Sequence, residues 1–178
     1  MRYRTDATSS LTAATGLLMA MAATLGYLEV VLLPPLPVPG MRLGLANIAI
    51  VLALVTVGPA RALAVSLGRV LLVGLATGAL GGPASVLSAV GALAAWGVMS
   101  AIASRGDRYS MIGWSLAGSS AHVIAQLCAA TVLVSSAAPL LLAPVSLALS
   151  LPTGLLIGYS ARLLLSRVPL QTVSVASR

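Results

Sequence analysis

The sequence predicts an all-α integral membrane protein, a single bundle of about six transmembrane helices. Three observations carry that prediction: too little charge for a wettable surface, apolar runs of membrane length, and arginines gathered mostly in the gaps between those runs. Of the 178 residues, 59% are hydrophobic and 7% charged, and the mean hydropathy is +1.07. Soluble domains keep roughly a quarter of their residues charged, so this chain has lipid as its solvent. The formal net charge of +7 comes from arginine alone, since there is no lysine. Aromatic residues do not interleave with the basic ones, which argues against nucleic acid as a partner.

A spanning helix needs about 20 mostly apolar residues. The first candidate, 11–33, follows Arg2 and Arg4 and stops at PPLPVPG. Its AMA triplet at 20–22 resembles a signal-peptide cleavage site, but the apolar run continues well beyond it, so the segment reads as a retained first helix. The second, 43–57, is short for a span and is extended by a start at Gly40 or Met41. The third, 62–79, runs from GPAR to LGGP; the fourth, 84–103, ends at SRGDRYS; the fifth, 111–136, ends at AAP; the sixth, 140–165, leads into the carboxy-terminal tail. Proline and glycine punctuation this tight favours antiparallel neighbours in one membrane domain over 1–178, with short tails at about 1–10 and 166–178.

With the amino terminus in the cytoplasm, Arg2, Arg4, Arg61, Arg105, Arg108, Arg162, Arg167 and Arg178 all fall inside, and the outer connections carry only Arg42. The positive-inside rule therefore expects a multi-pass protein of the cell membrane with both termini cytoplasmic. Cys128, the single cysteine, excludes an internal disulfide and reads as a small buried residue.

Polar side chains inside such a chain are expensive, about 2.5–3.5 kcal/mol for an ion at the helix centre, and each one asks for a reason. Arg69 lies eight residues after Arg61, roughly 12 Å into the membrane at the helical rise. Glu29 sits near the outer end of the first helix and pairs more naturally with Arg42, across the proline-rich connection, than with the deeper Arg69. On the fifth helix Ser115, Ser119, His122 and Gln126 fall at i, i+4, i+7 and i+11. That spacing makes one polar face, which must turn toward the bundle interior or a cavity. At the outer rim Gly40, Arg42, Gly44 and Asn47 sit at the start of the second helix, where amide groups and a guanidinium would receive the polar or anionic end of a small molecule. The substrate-binding set is thus Gly40, Arg42, Gly44, Asn47, Arg69, Ser119, His122 and Gln126. On the first helix Gly16 and Ala20, and Ala22 and Gly26, are small residues four apart, a spacing that lets another helix come close, either within the bundle or from a partner.

The blocks LPVPGMRLGLANIAIVLAL, GRVLLVGLATG and SLAGSSAHVIAQLCAA, in this order, resemble the Gx transporter family, often labelled heptaprenyl diphosphate synthase component I. Its members look like the S components of energy-coupling factor transporters. The resemblance runs from about Leu25 to Leu165. It implies a six-helix, S-component-like bundle with an outward-facing site, and partnership with a coupling transmembrane subunit and ATPase subunits that would dock on the small residues of the first helix. Val123 and Ala125 stand where the family writes asparagine and glycine, so any role for that asparagine is lost here.

Three function classes remain. The first is a substrate-binding membrane component for uptake of a small amphipathic or anionic molecule. The second is a non-catalytic membrane subunit of heptaprenyl diphosphate synthesis. The third is a structural membrane protein whose polar residues only tie helices together. An enzyme is not expected, because prenyl transfer needs aspartate-rich clusters to hold magnesium and the chain has only Asp6, Glu29 and Asp107. Neither cofactor nor metal is expected, since His122 has no second ligand at metal spacing. The charge pattern is tested by thiol labelling in a Cys128→Ala background: Gly81→Cys is labelled by an impermeant reagent from outside intact cells, and Arg105→Cys only after lysis. Labelling of Arg105→Cys in intact cells would reverse the orientation.

Overall fold

The computed structural model describes residues 2–32, 44–105 and 109–167, with side chains from Thr8 onward. It is an all-α bundle: α1 (Arg2–Leu32), α2 (Asn47–Thr56), α3 (Pro59–Ala76), α4 (Pro83–Ala103), α5 (Met111–Val134) and α6 (Ala143–Arg167), with a short 3-10 turn, Ala138–Leu142, leading into α6. Five segments are long and apolar enough to cross a membrane. The multi-pass membrane class expected from composition follows directly.

The exception is α2. Where the sequence suggested a helix from Gly40 or Met41, or a run over 43–57, the helix spans only Asn47–Thr56. Ten residues rise about 15 Å, half the hydrocarbon thickness. Gly44 takes φ +76°, a conformation that strains any residue with a Cβ, and the Asn47 amide donates to the Gly44 carbonyl at 2.8 Å to start the helix. At the other end Gly58, φ +85°, turns the chain straight into Pro59 at the head of α3.

Apolar residues on α2 are buried on nearly every side: Ala49, Ile50, Val51, Leu52 and Ala53 all belong to the core. Around them pack Ala62 and Val65 from the first half of α3, Ala95 and Met99 from the last half of α4, and Ile157 and Ala161 from the last half of α6. Arg61, Arg105, Arg162 and Arg167 lie toward this same end of their helices. Thus α2 fills one half of the bundle's interior, and the other parts of α3, α4, α5 and α6 extend past its start.

Close helix contacts rest on small residues. A Cβ added to Gly158 would lie 2.7 Å from the Ile112 Cα and 3.1 Å from the Ser115 Cβ; one added to Gly154 would lie 3.1 Å from the Leu116 Cα and from the Ser119 Oγ. The pair Gly154 and Gly158 therefore seats α6 on the Ser115 and Ser119 side of α5. On α1, Ala22 and Gly26 are buried, with a Gly26 Cβ falling 3.2 Å from Val73 and 3.7 Å from the Arg69 stem. Gly16 and Ala20 are exposed. The four small residues expected to form one docking face therefore divide between two sides of α1. At 3.6 residues per turn, a step of six residues from Gly16 to Ala22 carries the side chain well round the helix.

Cys128 corrects a second expectation, being exposed on the outer side of α5. Gly158→Ala is expected to destabilise the purified protein by about 1–3 kcal/mol, because the contact is with backbone that has nowhere to go. Denaturant unfolding in detergent measures it.

Candidate functional site

Beyond the amino-terminal end of α2 the helices α3 to α6 line a partly open cavity of about 320 Å³. Gly44 and Asn47 form its floor, Arg69 of α3 and Ser88 of α4 one wall, and Ser119, His122, Val123 and Gln126 of α5 another. The remaining wall is α6, through Ser146, Leu149, Ser150, Pro152, Thr153 and Leu156. Six of the eight sequence-predicted binding residues, Gly44, Asn47, Arg69, Ser119, His122 and Gln126, thus converge on one space. The other two, Gly40 and Arg42, lie outside the described residues.

The cavity lies near the middle of α3 and α5. Arg69 is ten residues into α3, about 15 Å by helical rise, and Asn47 is at the top of a helix of the same height. Arg69 is 4% exposed and Asn47 6%, so both polar groups are buried. The Asn47 Oδ1 and the Oγ of Ser146, itself 1% exposed, have no hydrogen-bond partner among the described residues. A buried acceptor or hydroxyl left in that state costs about 1–3 kcal/mol, a cost that a bound polar group removes.

Glu29 is buried at the end of α1, and its Oε1 accepts a hydrogen bond from the Gly44 amide. The carboxylate therefore ties the end of α1 to the turn that starts α2. The ion pair expected between Glu29 and Arg42 calls on Arg42, which lies outside the described residues.

His122 and Gln126 reach the cavity because α4 offers no side chain opposite them. A Cβ on Gly91 would lie 2.8 Å from the His122 Cε1 and Nε2 and 2.8 Å from the Gln126 Cγ. Ser115, the first residue of the predicted polar face, does not line the cavity; it is 2% exposed against Gly158 and serves the α5–α6 contact. Among the described residues no cluster of three or more His, Cys, Asp or Glu could hold a metal ion.

The sequence reading missed the α6 wall and Ser88. Ser146, Ser150 and Thr153 recur at i, i+4 and i+7, the same signal that identified α5. Hydroxyls on a helix commonly satisfy themselves on carbonyls of the preceding turn, which makes the signal weak. Ser150 does so on the Leu147 carbonyl at 2.8 Å and Thr153 on the Ser150 carbonyl at 3.0 Å, whereas Ser146 does not. Pro152 lies between them inside α6. It deprives the Ala148 carbonyl of its helical donor beside the cavity.

A family model described as heptaprenyl diphosphate synthase component I matches residues 18–164, which takes in every helix that builds the cavity. The chain belongs to that family. It is the family of a non-catalytic component of the synthase, in keeping with a chain that carries only Asp6, Glu29 and Asp107 as acids. No curated protein and no solved structure matches the chain.

Two glycines on α4 contrast a crowded position with an open one. Gly91→Ala forces His122 and Gln126 to move and is expected to cost about 1–3 kcal/mol. At Gly97 an added Cβ meets nothing within 4 Å. There Gly97→Ala should be neutral or stabilising by up to about 1 kcal/mol, the helix preference of alanine over glycine. Unfolding midpoints of the two variants, measured side by side, check the contrast.

Proposed function

We propose that this chain is a non-catalytic membrane component that binds a small amphipathic or anionic molecule in the mid-depth cavity above α2. The observation that carries the reading is the convergence of Asn47, Arg69, His122, Gln126 and Ser146 from four helices on one cavity. Polar groups whose only role is to tie helices together have no need to face an open volume, and Asn47 Oδ1 and Ser146 Oγ lack a partner helix to tie.

Family membership supports a setting in heptaprenyl diphosphate synthesis, where a component I implies a second, catalytic component as its partner. In that setting the cavity senses or presents a ligand to the synthase from within the membrane. A second setting, uptake with a coupling subunit and ATPase subunits, is favoured by one specific feature. A half-length helix that ends at mid-depth and points its amino terminus into a polar site is the arrangement broken helices provide in transporters. In that setting Gly16 and Ala20, exposed on α1, offer the contact for a coupling subunit. Both settings keep the termini in the cytoplasm of a cell-membrane protein, as the arginine distribution favours.

Mass spectrometry of small molecules retained through purification tests the reading. The wild type is expected to carry a ligand that Leu149→Trp, which fills the cavity from its α6 wall, loses. A ligand retained equally by both proteins, or none in either, contradicts it. Proteins captured from the native host with the tagged chain separate the settings: a prenyl synthase subunit supports the first, an ATPase the second.

A further inference from the structure

We propose that the cavity opens sideways to the bilayer along α6 and takes a single-chain lipid headed by a hydroxyl group, which enters from the hydrocarbon phase. The inference rests on the reading of the cavity as a ligand site and names the ligand's class and its route.

The α6 wall has two kinds of lining. Ser146 and Ser150 are buried, as befits side chains turned into a bundle. Leu149, Pro152 and Leu156 line the same cavity, yet Leu149 is 43% exposed, Leu156 is 54% exposed, and Pro152 is exposed as well. A residue that borders the cavity and the outside of the bundle together marks an edge of the opening. The three recur at i, i+3 and i+7, so they form one line along the helix, about 10 Å long at the helical rise.

Position along the span decides what lies outside this edge. The helix α6, Ala143–Arg167, belongs to an apolar segment of 30 residues, Ala138–Arg167, that is long enough to cross a membrane. Leu149 is about 9 Å from the start of α6, and Leu156 about 16 Å from its end. An opening at the end of a span meets water, whereas one along its middle meets acyl chains. Two leucines and a proline offer no side-chain hydrogen bond to a molecule that passes them. A polar molecule crossing this edge would give up its water for nothing, and an aliphatic chain crosses without that cost.

The inner end of the route selects the head. Asn47 and Ser146, both buried, bring to the cavity a carboxamide oxygen and a hydroxyl that lack a partner among the described residues. One ligand hydroxyl can donate to the Asn47 Oδ1 and accept from the Ser146 Oγ, whereas an ester or ether oxygen only accepts and leaves Asn47 unmet. The volume of about 320 Å³ equals that of about ten water molecules at their share of the liquid. The head and the first carbons fit within it, and the rest of the chain leaves past Leu149 and Leu156 into the bilayer. Chain length is therefore not limited by the cavity.

Photocrosslinking of the full chain in phosphatidylcholine nanodiscs tests this. The probes are hexadecanol with a diazirine midway along its chain and the equally labelled hexadecane, with adducts mapped by mass spectrometry. The labelled alcohol is expected to modify α6 between Leu149 and Leu156 at least tenfold more than the alkane does. Unlabelled hexadecanol should compete at least as well as hexanol at equal mole fraction in the bilayer. Asn47→Leu should bring the alcohol down to the level of the alkane. Ser146→Ala, which leaves the start of α2 intact, should lower it at least threefold and decides alone if Asn47→Leu does not fold. Equal labelling by alcohol and alkane, competition by hexanol but not by hexadecanol, or a preference untouched by the substitutions overturns the inference. Absence of a competed adduct, while Leu149→Trp still loses a retained small molecule, overturns this inference alone and leaves the cavity a ligand site. Absence of both removes the ligand-site reading along with it.

Discussion

The length of α2 is the constraint on which the rest of the bundle depends. A helix that crossed the hydrocarbon would fill the bundle from end to end. At ten residues α2 fills half, and α3, α4, α5 and α6 line the space that lies beyond it. Hydrocarbon offers backbone and polar side chains no hydrogen bonds, so a helix that starts at mid-depth can exist only where protein surrounds its first turn. Here the Gly44 amide finds the Glu29 carboxylate and the Asn47 amide finds the Gly44 carbonyl. The cavity is the geometric remainder of that short helix, and its polar lining follows from having a helix start, rather than a packed apolar side, as its floor.

Lipid tails are as apolar as leucine, so burial alone cannot order the long helices against one another. Close approach does so instead. Gly154 and Gly158 bring α6 onto α5, Gly91 brings His122 and Gln126 of α5 onto α4, and Gly26 brings α1 onto Val73 and the Arg69 stem. Each contact also sets the position of a cavity-lining side chain, so the scaffold and the site are not separable. Ser119 makes this plain, because it lies against Gly154 and lines the cavity as well.

Much of this was legible in the sequence because bilayer physics writes large signals. Five of the six apolar runs became long helices near their expected positions, and a face of Ser119, His122 and Gln126 at helical spacing turned inward as the cost of exposing it demands. The length of α2 was not legible, since an apolar run followed by GPAR looks the same whether its first residues are helix or turn. Gly44 was the available clue, since its positive φ makes it a turn. The α6 wall was hidden for another reason: serine and threonine on a helix usually bond to their own backbone, and only packing reveals that Ser146 does not. Spacing of four on α1 suggested one face, and the phase between the two pairs decided otherwise.

The central claim is that the space above α2 holds a ligand. An experimental structure of the protein in lipid nanodiscs, purified without added small molecules, tests it most directly. The account predicts density in the cavity within hydrogen-bonding distance of Asn47, Arg69 and Ser146. A cavity closed by inward movement of α6, with Ser146 bonded to a neighbouring helix, or one filled only by an acyl chain from the surrounding lipid, would contradict it.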